Sequence, residues 1–337
     1  MKSEIRMQNS EFRNNRFKYS SSRNFQLHVD LNLVTRNSEF CIGISAFVLL
    51  ILLSFNTLAS IAQSPILKIG LMADLQYCDC ETAGTRHYRL SLGKTQVAVD
   101  TFLNEKVDFT VLLGDMIDRD VNSFGPVHDR LEPLKPDVTL IPGNHDFALG
   151  EGKKADRTRK ALRIRFPEAR TEGKIRMLFL NGMMNSIEAW PEGSHERARG
   201  LATFEELKAA GAPNAQEWNG GLGERQLRWI RNQVSLANQR GQYLILFCHL
   251  PALPGDVHSL WDTQQLLDIL RQSQNPVLYL CGHKHSGGDD QVGNCRIVNL
   301  KGMVEGTRNA FGVLEVYPGR YVLKGYGDQP DDEIILK

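Results

Sequence analysis

Five short polar segments occur in order along the chain: Asp74-Leu75-Gln76, Gly114-Asp115-Met116-Ile117-Asp118, Gly143-Asn144-His145-Asp146, Cys248-His249 and Gly282-His283-Lys284-His285. They offer carboxylate and amide oxygens and imidazole nitrogens, a donor set suited to Mn²⁺, Fe, Zn²⁺ or Mg²⁺. That is the ligand set of a two-metal hydrolytic site, whose chemistry a phosphate ester illustrates. Such an ester resists attack because it is anionic, so a catalyst must neutralise charge and make a nucleophile from water at neutral pH. Two divalent ions about 3.5–4 Å apart do both, and one carboxylate must bridge them. Residues two apart at the end of an extended segment face the same way. Asp74 would therefore pair with Gln76 and His283 with His285, with Leu75 turned to the core and Lys284 outwards. Taken singly, an Asp or Asn at a strand end is an ordinary turn or cap residue. Turn chemistry gives no reason for so many ligand types to fall in this order.

Each segment follows an apolar run: Ile66–Met72, Phe109–Leu113, Val138–Ile141, Tyr243–Phe247 and Val277–Leu280. These are short and rich in β-branched and aromatic residues, as buried strands are. Between them lie helical stretches. Leu92–Glu105 offers Val97, Val99, Phe102 and Leu103 as a buried side; Glu224–Gln239 offers Leu227, Trp229, Ile230, Val234 and Leu236; Leu260–Gln272 offers Leu266, Leu267, Ile269 and Leu270. Strand alternating with helix implies an α/β fold with parallel or mixed sheet between helices. In such sheets ligands collect beyond the carboxyl ends of the strands, where all five segments would sit.

Segment order and content resemble the calcineurin-like metallophosphoesterase superfamily, whose pattern runs D-x-H, G-D-x-x-D, G-N-H-[DE], H and G-H-x-H. The resemblance covers roughly residues 66–325. It implies two mixed β-sheets flanked by helices in an α/β/β/α sandwich. It also implies that Asp115 bridges two metals, with Asp74, Gln76 and His285 completing one site and Asn144, His249 and His283 the other. His145 would act at the leaving oxygen, with Asp146 orienting it and Asp118 standing behind Asp115. Gln76 departs from the pattern, since most of the superfamily has histidine there. D-x-Q-Y followed by Arg86-His87-Tyr88-Arg89, with Asn219-Gly220-Gly221 ahead of Gln226-Leu227-Arg228-Trp229, is similar to the manganese-dependent ADP-ribose/CDP-alcohol diphosphatase branch. That branch implies Mn²⁺ and a small nucleotide-derived diphosphate substrate. Arg86 and Arg89 would grip the second phosphate, Tyr88 would stack on a base or ribose, and Asn219 would line the cleft. A neutral Gln76 oxygen in place of an imidazole also tilts its site towards Mn²⁺ or Mg²⁺. The alternatives are a phosphodiesterase or phosphomonoesterase with another small substrate, and a protein-binding scaffold on the same fold. A scaffold has no use for His145.

The remaining features set the frame. Of the six cysteines, Cys248 and Cys281 read as packing at strand ends. Cys78 and Cys80 look too close for a relaxed mutual disulfide, so packing or a longer-range bridge is expected. His87, His128, His195 and His258 lack partner spacing and read as surface or core residues. Residues 1–40 are polar, with seven basic against four acidic residues, and residues 41–62 form an apolar run ending in Ser60-Ile61-Ala62. The pattern fits a signal peptide or an uncleaved anchor, which would put residues 63–337, the catalytic domain, outside the cytoplasm, either periplasmic or extracellular. A net charge of +1 argues against a basic nucleic-acid-binding surface. The polar stretch 185–219, with Gly and Pro, reads as loops over the cleft.

Overall fold

The computed structural model describes residues 64–147, 154–162 and 166–335. The leader and the apolar run expected at 1–40 and 41–62 lie outside the described residues. Among the described residues, no helix is long and apolar enough to cross a membrane.

Two six-stranded mixed sheets form the centre. The first contains β1 (Leu67–Met72), β2 (Phe109–Leu112), β3 (Val138–Leu140), β12 (Ala310–Tyr317), β13 (Arg320–Gly327) and β14 (Asp332–Ile335), in the order β14-β13-β12-β1-β2-β3. The second contains β4 (Glu168–Glu172), β5 (Ile175–Phe179), β8 (Tyr243–Phe247), β9 (Val277–Cys281), β10 (Ser286–Val292) and β11 (Cys295–Lys301), in the order β10-β11-β9-β8-β5-β4. A small ribbon joins β6 (Asn185–Ser186) to β7 (Gly220–Gly221). β1–β2–β3 pair in parallel, as do β5–β8–β9–β11, and the outer strands run antiparallel.

Alternation along the strands decides the layers. Ile69 and Leu71 on β1, Phe179 on β5, Ile245 and Phe247 on β8, and Leu278 and Leu280 on β9 face one another in the apolar layer between the sheets. Their neighbours Met72, Leu112, Leu178, Leu244 and Leu246 face the helices. Strands covered on both faces must be apolar throughout, which is why they read as unbroken runs.

The helices are α1 (Ser91–Glu105), α2 (Phe124–Leu131), α3 (Lys154–Ala161), α4 (His195–Ala209), α5 (Gly223–Arg240) and α6 (Thr263–Leu270). On α1 the buried side is Thr95, Ala98, Val99 and Phe102, the i, i+3, i+4, i+7 stripe of an amphipathic helix. Val97 and Leu103, expected inside, are 54 % and 48 % exposed, because they fall off that stripe. Residues 185–219 are not loops alone. They include the 15-residue α4, whose Ser194 caps the first turn by accepting from the Arg197 N–H at 3.2 Å.

Candidate metal and catalytic site

All seven expected ligands stand just beyond the carboxyl ends of β1, β2, β3, β8 and β9, where the two sheets come together. Asp74, Gln76, Asp115 and His249 have no solvent exposure, and Asn144 and His283 are buried. Asp74 and Gln76 do not lie on the extended segment that their spacing suggests. Asp74 (φ 52°), Gln76 (φ 44°), Asp115 (φ 53°) and His283 (φ 70°) all take the left-handed conformation, which L-residues with side chains disfavour. Sharp turns, not strand alternation, aim these groups inward, and strain of this kind gathers at functional sites.

The glycines in the motifs serve close approach. A Cβ at Gly143 would lie 2.1 Å from Asp115 Oδ1, and one at Gly114 would lie 2.3 Å from the His249 ring.

Each imidazole has one nitrogen committed outward. His249 Nδ1 is 2.7 Å from the Leu113 carbonyl. His285 Nδ1 is 2.6 Å from Glu305 Oε1. His283 Nε2 is 3.1 Å from Asn219 Oδ1, whose amide is oriented by donating to the Asn214 and Val257 carbonyls. Those acceptors require N–H on the facing nitrogens, so the other nitrogens carry lone pairs. The lone pairs of His249 and His285 meet other acceptors. His249 Nε2 lies 3.2 Å from Asp115 Oδ2 and 3.1 Å from Asn144 Oδ1, and His285 Nε2 lies 3.5 Å from Asp74 Oδ1. Ligand atoms of Asp115, His249 and His283 lie within 4.8 Å of one another. Gln76 Oε1 is buried with no hydrogen-bond partner, while its Nε2 is 3.0 Å from His285 Nε2. Imidazole lone pairs meeting carboxylates at His249–Asp115 and His285–Asp74 are what a cation site presents. Gln76 Nε2 also donates to Asp115 Oδ2 at 3.3 Å, and turning the amide over brings its oxygen to the same place, completing a mixed O/N set that fits divalent ions. Burial opposes a charged His249, but Asp115 outweighs it and pushes His249 up to about 9, so a proton holds the place that a divalent cation would take from it on binding.

The site opens into a cavity of about 420 Å³ lined by Gln76, Arg86, Asp115, Asn144, His145, Glu188, Trp218, His258, His283 and His285. A larger cavity of about 660 Å³ lies beside β3, lined by Phe124, Leu131 and Leu140 among others, and contains none of the expected ligands. Chemistry, not size, locates the site.

Several expected roles change. Asp118, not Asp146, faces His145: its Oδ1 lies 3.1 Å from His145 Nδ1. Asp146 is turned the other way and accepts backbone N–H groups from Gly143, Asp115, Met116 and Ile117 at 2.8–3.3 Å, stitching two site loops together. Arg86 reaches the cavity, but Arg89 pairs with Asp79 and Glu81, each at 2.6 Å, outside it. Tyr88 is 2 % exposed, packed with Cys78 and Val304, and its hydroxyl accepts from Arg119, so its ring has no free face for a base. Asn219 is wholly buried and holds His283 instead of lining the cleft. Cys78 and Cys80 are joined by a disulfide, because the bend at Asp79 brings their Cα atoms to 5.2 Å, within the bonding range.

Sequence reasoning missed Glu188, Trp218, His258 and Glu305. His258 was read as a bystander, yet its ring lies 5.6 Å from that of His283 and it lines the cavity. Trp218 sits beside the Asn219-Gly220-Gly221 turn, the one hint available; nothing in the pattern marked Glu188 or Glu305.

With the geometry in hand, comparisons with known proteins agree on the fold. The family model for calcineurin-like phosphoesterases matches residues 67–287. A manganese-dependent ADP-ribose/CDP-alcohol diphosphatase from Danio rerio is 26 % identical, over 80 % of this chain and 98 % of its own length. The Homo sapiens protein of the same name is 27 % identical over 78 % of this chain and 91 % of its own. Among solved structures, a dimetal phosphatase from Danio rerio superposes with a TM-score of 0.71 at 24 % identity, covering 81 % of this chain and all of that one.

Proposed function

This chain belongs to the calcineurin-like phosphoesterase family, and from that premise we propose that it is a two-metal hydrolase of phosphoanhydrides. Its substrates would be nucleotide diphosphate derivatives of the ADP-ribose or CDP-alcohol kind for which its relatives are named. One observation supports this above others: the inward-facing nitrogens of His249 and His285 meet Asp115 and Asp74, and Asp115 and His285 line the cavity that also holds His145 and Arg86.

Asp74, Gln76 and His285 would hold one ion and Asn144, His249 and His283 the other, with Asp115 shared. Bound divalent ions supply neutralisation of phosphoryl charge and acidification of water. An amide oxygen at position 76 favours Mn²⁺, with Mg²⁺, Fe or Zn²⁺ as substitutes. His145 has its Nδ1 against Asp118, so the proton for the leaving oxygen comes from Nε2. Arg86 holds the phosphate that is not attacked, since a guanidinium matches phosphate oxygens. Export through residues 41–62 is part of the proposal; the Cys78–Cys80 disulfide supports it, because such bonds persist in oxidising compartments.

The test is a product panel. Purified protein, stripped with chelator and reloaded with Mn²⁺, Mg²⁺ or Zn²⁺, is given ADP-ribose, CDP-choline, CDP-glycerol, cyclic nucleotides and an aryl phosphodiester. The reading expects nucleoside monophosphate from the diphosphates, fastest with Mn²⁺. Preference for the aryl diester or cyclic nucleotides would make the protein a phosphodiesterase.

A further inference from the structure

One wall of the cavity has no part in the hydrolytic steps. Glu188 lines that wall, and its Oε2 is buried with no hydrogen-bond partner. Burial pushes its carboxyl up to about 7. The turn carrying it is anchored on both sides. The Ile187 carbonyl accepts from Arg197 at 2.5 Å, the Ala189 N–H donates to Ser186 Oγ at 3.3 Å, and the Ala189 carbonyl accepts from Arg159 at 2.7 Å. Pairing of β6 with β7 brings this turn near Trp218, which is 43 % exposed and lines the same cavity.

A carboxyl held in place without a protein partner is complementary to a ligand that brings donors, since an unpaired buried acceptor is costly. A second phosphate brings acceptors and no donors, which leaves this carboxyl oxygen unpaired, and is taken by Arg86. A quaternary ammonium has no N–H to donate, and Arg86 in the same cavity repels it. A neutral group with hydroxyls satisfies the carboxyl and can lay its C–H face on the indole. We propose that Glu188, with Trp218 beside it, selects substrates whose non-nucleotide half carries neutral hydroxyls, a polyol or pentose, over those ending in a cation or a plain alkyl group. The inference rests on the diphosphatase reading above.

The experiment compares kcat/KM of the full chain with Mn²⁺ on CDP-glycerol, CDP-choline and the ethyl ester of CDP, with bis(4-nitrophenyl) phosphate as a separate arm. Wild-type protein should prefer CDP-glycerol over the ethyl ester. Glu188→Ala should lower kcat/KM on CDP-glycerol by about 10–100-fold, the range for a hydrogen bond to a charged group, and bring it near the ethyl-ester value. Glu188→Gln, which keeps an acceptor oxygen, should fall between. Equal turnover of the glycerol and ethyl esters by wild-type protein overturns the proposal even if no variant folds. So does an equal loss on every substrate in Glu188→Ala, or a loss confined to CDP-choline, which would make this a cation subsite. Hydrolysis of the aryl diester with no turnover of any CDP ester sinks the diphosphatase reading and this inference with it, a result distinguishable from the others.

Discussion

Two acidic residues flank His145 in function or in sequence, and the structure gives them opposite jobs that can be separated. Asp118 Oδ1 is 3.1 Å from His145 Nδ1, with Asp118 and His145 side chains 7 % and 22 % exposed. Asp118→Asn keeps the shape and an acceptor oxygen but removes the charge that steadies a protonated imidazole. A hydrogen bond to a charged group is worth about 1.5–3 kcal/mol, so kcat should fall about 10–100-fold. Melting temperature and metal stoichiometry should stay at wild-type values. His145→Ala should cost more, about 10²–10⁴-fold, the usual worth of a positioned acid. Both losses should shrink for a nitrophenolate leaving group, which needs little protonation. Asp146→Asn should behave otherwise. Its Oδ2 accepts from Gly143 and Asp115 N–H at 2.9 and 3.1 Å, and an amide nitrogen there would face two donors. At about 1–3 kcal/mol for each unsatisfied group, the fold loses about 2–6 kcal/mol, and Asp115 is displaced with it. Thermal melting, metal analysis and steady-state kinetics on both variants decide the matter. A destabilised Asp118→Asn, or an Asp146→Asn that melts normally and loses only kcat, would refute the division of roles.

Asp115→Asn should empty both metal positions and abolish turnover, whereas Gln76→Ala should weaken mainly one; two ions per chain retained in Asp115→Asn by metal analysis would count against a shared carboxylate. Arg86→Ala should lower kcat/KM for diphosphate substrates about 10–100-fold while sparing an aryl phosphodiester. Arg89→Ala should change either by no more than about twofold, because its exposed pairs with Asp79 and Glu81 contribute little. Gly143→Ala should cut activity on the order of 100-fold, since the new Cβ 2.1 Å from Asp115 Oδ1 must push that carboxylate aside; near-normal kinetics would show that the loop yields freely.

The strand cores and the ligand types were legible in the chain because both depend on local pattern. A strand covered on both faces must be apolar through its length, so Tyr243–Phe247 appeared with its true bounds and Phe109–Leu113 within one residue. Polar residues that interrupt such runs at strand ends have few reasons to be there, which exposed Asp74, Asp115, Asn144, His249, His283 and His285. The helix faces were half legible: the 3.6-residue stripe through Ala98, Val99 and Phe102 was present, but hydrophobicity alone could not demote Val97 and Leu103.

What no local pattern carried was which groups meet. His145 finds Asp118 from 27 residues away, and His283 finds Asn219 from 64 away. Such pairings depend on where loops from both sheets close, and that is settled by packing of the whole sandwich. The left-handed turns at Asp74, Gln76, Asp115 and His283 are of the same kind, because backbone strain persists only where surrounding structure holds it. Tyr88, Arg89 and Asn219 were assigned to substrate by their place in a motif, yet the fold uses them for packing, surface pairing and orientation of a histidine. Glu188 had no signal in the chain, and Trp218 had only its place beside the Asn219-Gly220-Gly221 turn, since it is the β6–β7 ribbon that brings their turns to one cavity. Residue chemistry and strand rhythm thus specified the reaction class, while tertiary closure decided which side chain serves which atom.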